Sequence, residues 1–211
     1  MVGCTQLKII LKKEVVMSTE VLSYFLKNED VKTRLGFQIA LQCAPFLKGL
    51  KVSCLITMDS GSYGELDEVF SGIGIAWQKL SESDGRCLVL FYRAGQLREH
   101  LLRPEIYKLL CEYGYEGMDP EEMIGRLADR VGDIAAKGLG FPHEIGAFLG
   151  YPIGDVRGFI ENQGRKCLMT GYWKVYGNPA SARMLFKEYD RAKDCAVNEF
   201  LTGKTIREIA M

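Results

Sequence analysis

The chain has no excess of either charge: 27 Lys and Arg stand against 27 Asp and Glu in 211 residues. A balanced chain exerts no long-range pull on nucleic acid or on an anionic membrane, so any basic patch has to be local. Histidine is scarce. His100 and His143 are the only two, too few for a His-rich metal or haem site, and no spacing around them fixes a coordination geometry. Long apolar runs are missing as well. Near the amino terminus Ile9–Leu11 is broken at once by Lys12, Lys13 and Glu14. That is too short for a signal segment or a spanning helix, and a cytoplasmic location with no membrane partner is expected. Residues 1–16 read as an upstream extension, with Met17 as the natural start. The seven cysteines (4, 43, 54, 87, 111, 167 and 195) are odd in number and contain no Cys-x-x-Cys. This excludes a disulfide framework and a structural zinc site, and points to free thiols in a reducing compartment.

What is present is ordinary globular material, 47% hydrophobic, enough for a core without a metal or disulfide. No linker divides the chain, so residues 17–211 are expected to form one mixed, helix-rich α/β domain, with 104–163 as a helical lobe. Asp30 can cap a helix running to about Cys43. Val52, Cys54, Ile56 and Met58 alternate as in a half-buried strand. Leu66, Val69, Phe70, Ile73, Trp77 and Leu80 make a helical stripe, weakened by Gly72 and Gly74. Cys87–Tyr92 is a continuous apolar run, as in a central strand. Strand, helix, strand implies a βαβ crossover in a small sheet of about three strands, covered by seven or more helices. Farther on, Pro104 suits a first helical position, Asp119 and Glu122 suit a capping box, and Asn178-Pro179 opens a long helix. Tyr172–Tyr176 alternates like an edge strand.

The densest segment runs from Gly140-Phe-Pro-His-Glu-Ile-Gly-Ala-Phe-Leu-Gly150 through Tyr151-Pro-Ile-Gly-Asp-Val-Arg-Gly-Phe-Ile160. With Cys43-Ala-Pro, Gly49-Leu-Lys51, Tyr92-Arg93 and Gly171-Tyr-Trp-Lys-Val-Tyr176, it resembles an uncharacterised bacterial family, domain of unknown function 3793, typical of anaerobic Gram-positive bacteria. The resemblance spans roughly residues 20–206 and implies no known activity or cofactor. The family pattern carries Thr, Pro and Cys where this chain has Phe46, Ala94 and Ala192.

Four chemistries fit parts of the sequence. Cys43 and His143 are the candidate catalytic pair of a thiol enzyme, if His143 lowers the Cys43 pKa. Residues 142–163 resemble a helix-turn-helix, although two acids against one base make a poor groove-facing helix, so a nucleic-acid partner is not favoured. Asp59–Glu65 is a Ser/Gly loop that could offer amides to a phosphate, but it lacks a P-loop lysine. No metal site is expected. The favoured reading is a binding or interaction domain for a small molecule or a protein. Its polar cleft would gather Arg93, His143, Glu144, Tyr151 and Lys174, with Arg93 at the end of the central strand.

Overall fold

The computed structural model of the chain describes residues 19–136 and 141–210. The expected extension at residues 1–16 lies outside them. The architecture is mixed α/β, with eleven α-helices, one three-stranded antiparallel sheet and one two-stranded ribbon among the described residues. These residues fall into two compact units where one domain with a helical lobe over 104–163 was expected. The sheet unit holds residues 19–94 and 188–210; the helical unit holds residues 95–187.

In the sheet unit, α1 (Thr19–Leu26), α2 (Val31–Gln42) and α3 (Ala44–Leu47) precede β1 (Ser53–Asp59). Asp30 caps α2 as expected, its carboxylate accepting the Thr33 amide at 2.9 Å. A 3₁₀ turn over Ser60–Glu65 and the single turn α4 (Leu66–Val69) lead to β2 (Ala76–Ser83) and β3 (Arg86–Tyr92). The strand order is β1-β3-β2, so Cys87–Tyr92 is central, with Val89, Leu90 and Phe91 fully buried.

Both pairings are antiparallel, which overturns the expected βαβ crossover. The stripe from Leu66 to Leu80 is not one helix. Gly72 (φ 75°) and Gly74 (φ 65°) take left-handed backbone after α4, and the chain from Ala76 continues extended. Asp84 (φ 53°) and Gly85 (φ 70°) then form a two-residue hairpin between the paired Ser83 and Arg86. Positive φ at both central residues is the type I′ pattern, whose twist matches that of the flanking strands. One face of this sheet packs Ile56, Met58, Val89 and Phe91 into a core with Leu35 and Ile39 of α2. Ile206 and Ile209 of α11 (Ile206–Ile209) join the same core.

The helical unit contains α5 (Ala94–Leu101, from Gly95), α6 (Pro104–Glu112), α7 (Pro120–Ala136), α8 (Ile145–Phe148) and α9 (Ile153–Glu161). A ribbon of β4 (Met169–Thr170) and β5 (Lys174–Val175) follows, then the first turns of α10 (Pro179–Leu201). Asp119 and Glu122 make the expected reciprocal capping box at the start of α7, each carboxylate accepting the other's amide. Trp173 and Val175 are buried together, as alternation requires, although only Lys174 and Val175 of the 172–176 run are in a strand.

Truncating Phe91 to Ala should cost about 3–5 kcal/mol, the usual penalty for deleting a fully buried aromatic. Urea unfolding followed by circular dichroism measures this directly. A loss below about 1 kcal/mol would remove β3 from the centre of the core.

Candidate functional site

The His143 segment is held from beneath by a buried acid. Asp155, in the first turn of α9, is 5% exposed. One carboxylate oxygen accepts the Trp173 indole N–H at 2.7 Å; the other accepts the amides of Tyr176 at 2.7 Å and Gly177 at 2.8 Å. Three donors on one buried carboxylate satisfy its charge and fix the ribbon onto α9. Tyr151 stacks on the other side of this anchor, its ring 5.1 Å from that of Trp173, and Phe186 of α10 meets Trp173 edge-on at 4.6 Å. Two glycines are closely approached by neighbouring side chains. A Cβ on Gly158 would lie 2.6 Å from the Tyr176 ring carbon, and one on Gly171 would overlap the Phe186 ring. Packing therefore accounts for Gly158 and for the Tyr151 ring of the dense segment.

Above this base lies an exposed surface. His143 is exposed in the turn before α8 and meets the Phe159 ring edge-on, 5.0 Å between centroids. Lys174 lies 5.8 Å over the same ring, its amine donating to the Gly164 carbonyl at 2.6 Å. Two of the anticipated residues thus converge on Phe159, a platform that the sequence reading did not single out. Glu144 points the other way. It is fully buried, accepting from Arg130 Nε at 2.5 Å and from the Tyr115 hydroxyl at 3.3 Å through Oε1. Burial, reinforced by the Glu144 charge, pushes the Tyr115 phenol well above its ordinary pKa. A small cleft of about 140 Å³ opens beside Leu109, Glu112, Tyr113, Arg157, Ile160 and Glu161. It is smaller than the roughly 300–1,000 Å³ of typical small-molecule pockets, and His143 does not line it.

Arg93 belongs to the sheet unit. Its guanidinium donates to the carbonyls of Phe46 at 2.8 Å and Leu47 at 3.2 Å, and lies 4.8 Å over the Phe46 ring. It satisfies the carboxyl end of α3, the role that cations commonly take at helix termini. Cys43 is also in the sheet unit and has no exposure. Burial, with a hydrogen bond to Cys54, raises its thiol pKa well above the ordinary value. A buried, protonated thiol lacks both access and nucleophilicity. The helix-turn-helix reading fares no better physically. Its first helix is one turn, Asp155 is buried, and Arg157 is held bidentately by Glu112 at 2.8 and 3.1 Å. In the Ser/Gly loop, Asp59 itself accepts the Gly61 amide at 2.9 Å. Among the described residues no group of three or more His, Cys, Asp and Glu could hold a metal, and no helix is long and apolar enough to cross a membrane.

The profile of a family described as "Protein of unknown function (DUF3793)" matches residues 39–210, which contain both the segment built on Asp155 and the Cys43 turn. The chain belongs to the DUF3793 family. No curated protein and no solved structure matched it. Within this DUF3793 chain, the residues missed by sequence reasoning are Asp155, Phe159 and His100. His100 is 6% exposed, with Nε2 2.8 Å from the Ala147 carbonyl.

Two tests follow from these buried groups. Asp155→Ala leaves an indole and two amides without their acceptor and should cost on the order of 3 kcal/mol, with red-shifted tryptophan emission. An unchanged midpoint would remove Asp155 from its anchoring role. Burial lowers the His100 pKa in the folded state. The neutral ring therefore stabilises the fold above its unfolded pKa of about 6.5, and that contribution is lost as pH falls below it. Thermal melts should show a smaller drop between pH 7.5 and 5.5 in His100→Gln than in the parent; equal drops would contradict the assignment.

Proposed function

We propose that this DUF3793 protein is a cytoplasmic binding domain whose recognition surface lies on the helical unit around Phe159. It takes a small anionic group, a carboxylate or phosphate, from a small molecule or a protein. The observation that supports the reading is the convergence of two cationic or ionisable side chains, His143 and Lys174, on one half-buried aromatic ring. Lys174 is already oriented by the Gly164 carbonyl, so little side-chain entropy remains to be lost on binding. Tyr151 supports this surface through its stack on Trp173, the neighbour of Lys174, whereas Glu144 is buried against Arg130 and Tyr115 and does not reach it. The cytoplasmic placement is supported by free cysteines at 43, 54, 87, 111, 167 and 195. A Cys43-dependent reaction finds no support in a thiol with no exposure.

His143 and the buried His100 are the only imidazoles, so their NMR signals are separable by exposure. Titration with inorganic phosphate and with succinate should shift the His143 ring resonances and leave those of His100 in place. In Lys174→Gln the shift should shrink several-fold. No response of His143 to either anion, or a response indifferent to Lys174, would overturn the proposal.

A further inference from the structure

In a chain with no net charge, the helical unit carries two segments of opposite sign. Residues 163–187 contain no Asp or Glu but five cations: Arg165, Lys166, Lys174, Arg183 and Lys187. No carboxylate among the described residues pairs with any of the five. Residues 112–133 hold seven acids against Arg126 and Arg130. On α7, Glu122, Asp129 and Asp133 are all exposed and spaced seven and four apart, so they share one outward face. Arg126, which could interrupt that row, is turned over the Tyr115 ring at 5.9 Å. On α10, Arg183 and Lys187 are spaced four apart and exposed, with Met184 between them 72% exposed. The pairs Asp129/Asp133 and Arg183/Lys187 thus have the same rise, about 6 Å along their helices.

We infer that the α10 face of one copy docks on the α7 face of a second copy of this chain. Three observations favour a second copy over a polyanion. A nucleic acid or an anionic membrane attracted to residues 163–187 would also meet the acidic face of the same unit, whereas a second copy satisfies both faces. Trp173, the largest ring of the basic segment that could stack on bases, is buried between Tyr151 and Phe186. Arg and Met are enriched at protein interfaces, and an exposed Met184 flanked by Arg183 and Lys187 fits that composition. A two-fold arrangement uses each complementary contact twice and closes the assembly. The contact is predominantly one of exposed ion pairs, so the association is weak and salt-labile.

Sedimentation velocity of the full chain tests this. At about 20 mM salt the parent should sediment as a dimer, and at about 0.5 M salt as a monomer, where screening is several-fold stronger. Arg183→Glu/Lys187→Glu should be monomeric at both, as should Asp129→Lys/Asp133→Lys. An equimolar mixture of the two variants restores complementarity in both contacts and should sediment as a dimer at low salt, which also shows that both variants fold. A parent monomeric at low salt overturns the inference. So does a dimer that survives either charge reversal, or a mixture that stays monomeric. Binding of single-stranded RNA, or of vesicles containing phosphatidylserine, that Arg183→Glu/Lys187→Glu abolishes in a non-dimerising parent would assign the basic face to a polyanion instead.

Discussion

The helical unit depends on one carboxylate. Asp155 receives an indole N–H and two backbone amides from a segment about twenty residues downstream, with its own side chain buried. Without that acceptor, the buried indole N–H and two backbone amides would lose their shared partner, and a desolvated donor left unpaired is costly. The ribbon of β4 and β5 is only two residues per strand and could not hold itself by ladder bonds. Its position comes from Asp155, from Trp173 wedged between Tyr151 and Phe186, and from Gly158 and Gly171, which leave room for the Tyr176 and Phe186 side chains. That position delivers Lys174 to the Phe159 ring, where His143 arrives from the other side of the sequence.

The same physics reassigns several residues that look chemical in one dimension. Arg93 is a strand-end cation of the kind that often faces a ligand, but here it neutralises the carbonyl end of a short helix and stacks on Phe46. Cys43 closes α2 and lies inside the core, where it behaves as a small hydrophobe. Arg157 is committed to Glu112. Of the residues singled out in the sequence, His143 and Lys174 are the two that meet at one ring, that of Phe159.

Much of the fold could be read locally because its signals are local. Caps at Asp30 and at Asp119 with Glu122, the proline at 104 and the apolar run at 87–92 each act within a few residues, and the structure uses all of them as expected. The sheet topology failed where one pattern admits two periods. Leu66, Phe70, Trp77 and Leu80 fit a helical stripe, yet left-handed Gly72 and Gly74 split it into a turn and a strand. Asp84-Gly85 was the available counter-signal, since that dipeptide between apolar runs marks an antiparallel hairpin. Residue type alone singled out His143 and Lys174, and the structure sets both against the Phe159 ring. It did not single out Asp155 as an anchor, because an acid in the first turn of a helix ordinarily faces water and its three donors are distant in sequence.

The central claim is that the Asp155 carboxylate locks the ribbon to α9, and amide hydrogen exchange measured by NMR addresses it most directly. The Trp173 indole N–H and the Tyr176 and Gly177 amides should exchange slowly and with a common opening free energy, because one acceptor protects all three. Exchange of any of them at the rate of an unstructured chain would contradict the account.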